Sequence, residues 1–175
     1  MSSYKALLTV FSPDRVGLIS EVTGLLFDQG INLGDTTFSI LGKGGGFTSI
    51  LEVPEHLDEF DLSKELRTLN SLVDADIDVK RFSLPDQQTP PRATTHQIRC
   101  EGPDQPGLLA RLSEVITEFN GNIVQLKSEQ VELESGINFL IELNAHIPLE
   151  RAENCLAALG NTAQGLGQKL FAEKA

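Results

Sequence analysis

Leu7, Leu8, Val10 and Phe11 form a nearly continuous apolar run, the pattern of a strand from the middle of a sheet. A short polar turn follows. Beyond Gly17, apolar residues recur at Leu18, Ile19, Val22, Leu25 and Leu26, which is one buried stripe of a helix. Gly30 supplies a stop for that helix. Residues 33–41 read as a strand, the glycines from Gly42 to Gly46 predict a turn, and residues 47–53 return as the next strand. Leu62, Leu66 and Leu69 predict a second helix over residues 61–72, and Ile77 and Val79 open a last strand that runs to about Leu84.

The same order then returns. Residues 97–101 are strand-like, and Leu108, Leu109, Leu112, Val115, Ile116 and Phe119 line a helix that Gly121 ends. Strands are expected over residues 123–133 and 137–143, and a helix over residues 149–159. A closing strand is expected within residues 164–172, where Gly165 and Gly167 dilute the pattern. The duplication is written out in Ser12-Pro13-Asp14-Arg15-Val16-Gly17-Leu18 and Gly102-Pro103-Asp104-Gln105-Pro106-Gly107-Leu108, which share P-D-x-x-G-L at an offset of 90 positions. Each copy therefore reads β-α-β-β-α-β. The simplest result is an α+β chain of two ferredoxin-like units, each an antiparallel four-stranded sheet with both helices on one face. The bounds are residues 1–84 and 94–175. Residues 85–93, polar and rich in proline, form a fairly stiff linker.

Composition narrows the classes of function. A chain of 175 residues with 40% hydrophobic content has ordinary globular cores. Two cores this small are marginal alone, so the units are expected to pack on each other or on a second chain, which leaves room for a homo-oligomer. Apolar runs fall short of a membrane span, and the N-terminal residues lack a signal-peptide pattern, so the expected location is the cytoplasm. Cys100 and Cys155 fit no metal spacing and read as free thiols in a reducing compartment. The net charge of −11 disfavours direct contact with nucleic acid or an anionic membrane.

The fold order, the D-x-x-G-L turn after the first strand, and the asparagines of Gly30-Ile31-Asn32-Leu33 and Asn120-Gly121-Asn122-Ile123 resemble the ACT domain, a family of small amino-acid-sensing modules. The resemblance covers nearly the whole chain outside the linker. Two such units without a catalytic domain look most like the glycine cleavage system transcriptional repressor group. Val16 departs from Pro106, which suits the first turn of a helix because the N–H it lacks is not needed there.

The turn has chemistry of its own. The N–H groups around Gly17 and Leu18, and around Gly107 and Leu108, lie at a helix start and suit a carboxylate. Asp14 and Asp104 can accept from an α-ammonium, although each aspartate taken alone is read first as a helix cap. Helix 1 runs back along the sheet, so Asn32 begins the second strand near the end opposite Asp14. One repeat cannot bring both onto one small ligand. The expectation is a pseudo-twofold pairing in which Asp14, Gly17 and Leu18 face Asn122, while Asp104, Gly107 and Leu108 face Asn32. The ACT resemblance implies ligands at such seams. A plain turn role for Asn32 remains the alternative.

Rival signals are weaker. Gly42-Lys43-Gly44-Gly45-Gly46 lies between strands and lacks the Lys-Ser/Thr pair of a phosphate loop. With Phe47 it imitates an RNA-recognition run, but it has one stacking aromatic and the overall charge is wrong. His56, His96 and His146 make neither a metal spacing nor a nucleophile signature, and His56 and His146 read as equivalent loop or cap positions. Glu55, Asp58, Glu59 and Asp61 read as a solvated helix start.

The sequence is therefore read as a cytoplasmic, non-enzymatic regulator of transcription that binds a small amino acid, glycine or similar, without cofactor, metal or catalytic residues. It would pass the bound state to a protein partner such as a DNA-binding regulator. The alternative is a structural dimerisation module without ligand, and an enzyme ranks below both.

Overall fold

The computed structural model describes residues 2–83, 90, 93–133 and 136–175. The chain divides into two compact units, Met1–Gln87 and Gln88–Ala175. The expected linker, residues 85–93, lies largely outside the described residues.

Unit 1 runs β1 (Ser3–Pro13), α1 (Leu18–Asp28), β2 (Asn32–Leu41), β3 (Gly44–Pro54), α2 (Glu59–Leu66) and β4 (Asp76–Arg81), with a single 3₁₀ turn at Asn70–Leu72. Unit 2 repeats the order as β5 (His96–Pro103), α3 (Leu108–Glu118), β6 (Asn122–Leu133), β7 (Gly136–His146), α4 (Leu149–Gly165) and β8 (Lys169–Lys174). The sheets are four-stranded and antiparallel, ordered β2-β3-β1-β4 and β6-β7-β5-β8. This is the expected ferredoxin-like arrangement, twice.

Period-two alternation decides which sheet face meets the helices. In β1, Ala6, Leu8 and Val10 are buried, and they meet Leu18, Val22 and Leu26 of α1 in one core. Phe47, Leu51 and Val53 of β3 join it. Unit 2 builds its core from Ile98, Cys100, Ile141 and Leu143 on the sheet and Leu112, Ile116, Cys155 and Leu159 on the helices. Each buried leucine or isoleucine contributes roughly 1.5–3 kcal/mol. The opposite sheet faces carry Thr9 and Phe11 in unit 1 and Gln97 and Arg99 in unit 2, all exposed.

Several boundaries differ from expectation for local reasons. The turn after β2 needs only Gly42, at φ 62°, and Lys43; Gly44, Gly45 and Gly46 belong to β3, opposite Pro13, Ser12 and Phe11 of β1. The Phe11 ring lies over Gly44, and a Cβ on Gly45 would come within 3.0 Å of the Phe38 ring, so aromatic cover explains glycines inside a strand. The helix expected over residues 61–72 starts earlier, because the Asp58 carboxylate caps it by accepting from the Asp61 amide at 2.7 Å. It also stops at Leu66, and the Asn70–Leu72 turn stands apart.

The first helix of each unit ends in a Schellman motif. In unit 1 the left-handed residue is Gly30, with the Ile31 amide donating to the Leu26 carbonyl at 2.9 Å. In unit 2 that place falls to Asn120, at φ 59°, not to Gly121. Gly121 is needed for space: a Cβ there would come within 2.7 Å of the Ile116 side chain. Helix α4 continues to Gly165 and closes through Gly167, at φ 67°, so β8 begins only at Lys169. Among the described residues, no helix is long and apolar enough to cross a membrane.

Candidate functional site

Strand β1 ends at Pro13 and leaves Asp14 in solvent. The Asp14 amide donates to the Lys43 carbonyl at 3.1 Å, which pins the loop to the β2–β3 hairpin. Arg15 to Leu18 then form a turn closed by the Leu18 amide on the Arg15 carbonyl at 3.3 Å, with Gly17 at φ 94°, ψ −9°. These are the dihedrals of the third residue of a type II turn, where a side chain is strained. Gln105 to Leu108 repeat it at 3.3 Å, with Gly107 at φ 83°, ψ 0°. Pro106 therefore occupies the second turn position, which its fixed φ suits, and lies ahead of the helix rather than in its first turn.

Gly17 and Gly107 are themselves the N-caps, and among the described residues no side chain caps either helix. The capping expectation for Asp14 and Asp104 is thus overturned: both are exposed and stand three residues ahead of the caps. Asp104 instead accepts from Nε2 of Gln130 at 3.1 Å.

Leu18 and Leu108 are buried, and their N–H groups are spent on closing the turns. Among the described backbone hydrogen bonds, none is donated by Ile19 or Ser20, or by Leu109 or Ala110. These first-turn amides lie beyond the reach of the helix's own carbonyls and are the donors a carboxylate would meet.

The asparagines lie where expected within each unit. Asn32 pairs across β3 with Glu52, which pairs with Lys5, while the loop leaves from Pro13. Eight strand residues separate those levels, about 27 Å at ~3.4 Å per residue. Asn122 pairs with His146, likewise at the far end of its sheet from Pro103. Neither unit brings its own aspartate and asparagine to one small ligand.

Residues outside the motif brace the first loop. Arg15 Nη1 donates to the carbonyls of Ser71 and Val73, at 3.2 and 2.6 Å. The Glu21 carboxylate accepts from the Ser71 amide at 3.0 Å, and that hydrogen bond holds its pKa below the usual carboxylate range. Glu21 Oε1 also lies 3.9 Å from where a Gly17 Cβ would be. Unit 2 carries Gln105 and Arg111 at the equivalent positions, and Arg111 pairs with Glu114 at 3.3 Å. No periodicity or spacing marks Arg15 and Glu21, because their partners come from a turn some 50 residues away.

Other reactive groups stand apart from the loops. Burial pushes both thiols up, and both are free. His56 lies in the turn before α2, whereas His146 is the last residue of β7, so the two are not equivalent loop positions. Among the described residues, no group of three or more His, Cys, Asp or Glu could hold a metal ion. A depression of about 880 Å³ lies on the exposed sheet face of unit 2 over Gln97, Arg99, Gln125, Lys127, Glu142 and Asn144. It contains no loop residue, and its polar floor is the solvated side of an antiparallel sheet.

Residues 96–161 match the ACT domain family model. Over 150 residues the chain is 23% identical to the glycine cleavage system transcriptional repressor of Escherichia coli (strain K12), covering 84% of this chain and 77% of that protein. The repressor of Shigella flexneri gives the same figures: 23% identity, 84% and 77% coverage. Among solved structures, a protein from Galdieria sulphuraria superposes with a TM-score of 0.74 at 19% identity, covering 99% of both chains. A structure provisionally assigned as a glycine cleavage system transcriptional repressor gives 0.69 at 19% identity, covering 100% of this chain and 99% of that one. The structural matches establish the tandem ACT-like fold.

Proposed function

We propose that this chain is a non-enzymatic regulator of transcription that senses a small amino acid at its P-D-x-x-G-L loops and signals through a protein partner. One observation carries the reading. Each unit presents an exposed aspartate, a left-handed glycine and a helix start without a side-chain cap, in one turn geometry. An α-amino acid needs donors for its carboxylate and an acceptor for its ammonium. The amides of Ile19 and Ser20, or of Leu109 and Ala110, supply the first; Asp14 or Asp104 supplies the second. The second loop suits a carboxylate better, because Arg111 stands where Glu21 stands in the first.

Asn32 and Asn122 serve a loop of an opposing ACT-like unit, since their own loops lie at the far end of the sheet. The ACT match over residues 96–161 and the likeness to a repressor of glycine cleavage support the sensing role and make glycine the first ligand to test. A ligand shifts such a regulator only by its differential affinity for two arrangements. The net charge of −11 opposes direct phosphate contact, so a DNA-binding regulator is the partner this reading requires, within the cytoplasm.

Isothermal titration of the full chain against a panel of amino acids tests the sensing role. Saturable binding that weakens in Asn122→Ala supports it. No heat at millimolar ligand favours a structural dimerisation module. A gel shift produced by this chain alone would contradict the partner assignment.

A further inference from the structure

The carbonyl of Pro103, immediately before Asp104, accepts a hydrogen bond of 2.6 Å from Nε2 of Gln168. Gln168 is only 5% exposed. Burying a long amide is costly unless its polar atoms are bonded, so the contact is specific. Its Oε1 lies 4.0 Å from the Cys100 thiol, which donates to it. Its backbone is fixed as well: the Gln168 amide donates to the Ala163 carbonyl at 2.8 Å, the closing bond of the α4 Schellman motif.

Gly102 makes room for this side chain. A Cβ at Gly102 would come within 2.7 to 2.8 Å of Oε1, Cδ and Nε2 of Gln168. Unit 1 solves the same problem differently. There the position of Gly102 is taken by Ser12, also buried, whose hydroxyl donates to the Pro13 carbonyl at 3.1 Å. The carbonyl one residue ahead of the loop aspartate is therefore held in both units. A neighbouring hydroxyl holds it in one unit, and an amide 65 residues away holds it in the other. Two unrelated side chains reaching one equivalent atom indicate that the position of that atom matters.

We propose that Gln168 is a positioning residue of the second loop, locating Asp104 and the Gln105–Leu108 turn against the end of α4. It makes the second loop answer to the junction between α4 and the edge strand β8 through a buried side chain of that junction, whereas the first loop is tied to the turn ahead of β4 by its own Arg15. The consequence for binding rests on the sensing role proposed above; the positioning does not.

The test uses the full chain and begins without ligand. Amide exchange is read at Leu108 and Arg111, whose amides close the turn and the first helical turn, with Leu18 and Glu21 as internal controls. Gln168→Met keeps the bulk and removes the donor, and is expected to speed loop exchange by about tenfold, the scale of one lost hydrogen bond. Exchange at Ile116 and in unit 1 should stay unchanged. The pair Gly102→Ser with Gln168→Ala copies the unit 1 solution and should bring exchange back to within about twofold of wild type, since both devices hold the same carbonyl. Gln168→Glu, of the same shape, replaces Gln168→Met if that variant does not fold. Unchanged loop exchange, acceleration spread evenly over unit 2, or failure of the paired variant to restore the loop overturns the proposal. A parallel glycine titration should show affinity falling with loop protection. Absence of binding in wild type would count against the sensing role while leaving the exchange result to decide the positioning.

Discussion

Arg15 donates to the Val73 carbonyl at 2.6 Å, joining the first loop to the turn ahead of β4. Val73 is half exposed, so water competes for the contact. Arg15→Ala should lower the stability of unit 1 by about 0.5–1.5 kcal/mol, the net worth of a hydrogen bond in such a setting. Tyr4, the single tyrosine of a chain without tryptophan, reports on unit 1 in urea titrations. Gln105→Ala, the equivalent change in unit 2, should leave that transition unmoved.

Gly107→Ala places a Cβ on a residue at φ 83°, in space that is otherwise open. The cost is then conformational, about 1–2 kcal/mol. Gly107→Asn should cost less, because asparagine tolerates the left-handed region. Thermal unfolding of the three proteins should order them wild type, Asn, Ala.

His96 gives unit 2 a loss of stability on acidification through the imidazole range. It is 1% exposed, its Nδ1 meets the Thr95 hydroxyl at 2.9 Å, and its Nε2 has no hydrogen-bond partner among the described residues. Burial, then the charge of Lys174, pushes its pKa below the ordinary imidazole value. The folded state therefore binds fewer protons than the unfolded state. The stability that neutral His96 provides is full above the unfolded value of about 6.5 and is lost as pH falls toward the depressed folded value. Ala6 holds the equivalent place in unit 1. Urea midpoints of unit 2, followed by NMR between pH 8 and 5, should decline in wild type and flatten in His96→Ala.

Cys100 and Cys155 are buried and raised, so both should resist a thiol-specific chromogenic disulfide in the native state. Both should react once urea unfolds the chain. Fast reaction of either native thiol would show that its surroundings are not as closed as the structure has them.

The repeat was legible because P-D-x-x-G-L encodes a backbone requirement, a left-handed residue before a helix, and only a few residue types meet it. Leu18, Val22 and Leu26 likewise announce α1 by spacing alone. Tertiary contacts defeated the reading elsewhere. The glycines at 44–46 looked like a turn because the aromatic rings of Phe11 and Phe38 that cover them are distant in sequence. Asp14 looked like a cap because its spacing to the helix permits one, but Gly17 took the position. Asn120 is the left-handed residue because it stands where Gly30 stands in unit 1, and Gly121, one residue later, is there for space against Ile116. Gln168 and Arg15 carried no local signal, since each acts on a carbonyl more than 50 residues away.

An amino acid held at the two loops would perturb both in a glycine titration followed by backbone NMR. The expected result is saturable shifts at Gly17 to Ser20 and Gly107 to Ala110, with the side-chain amides of Asn32 and Asn122 moving at the same ligand concentration. Shifts confined to the sheet face around Gln97, Lys127 and Glu142, or no shifts with any amino acid at millimolar concentration, would contradict it.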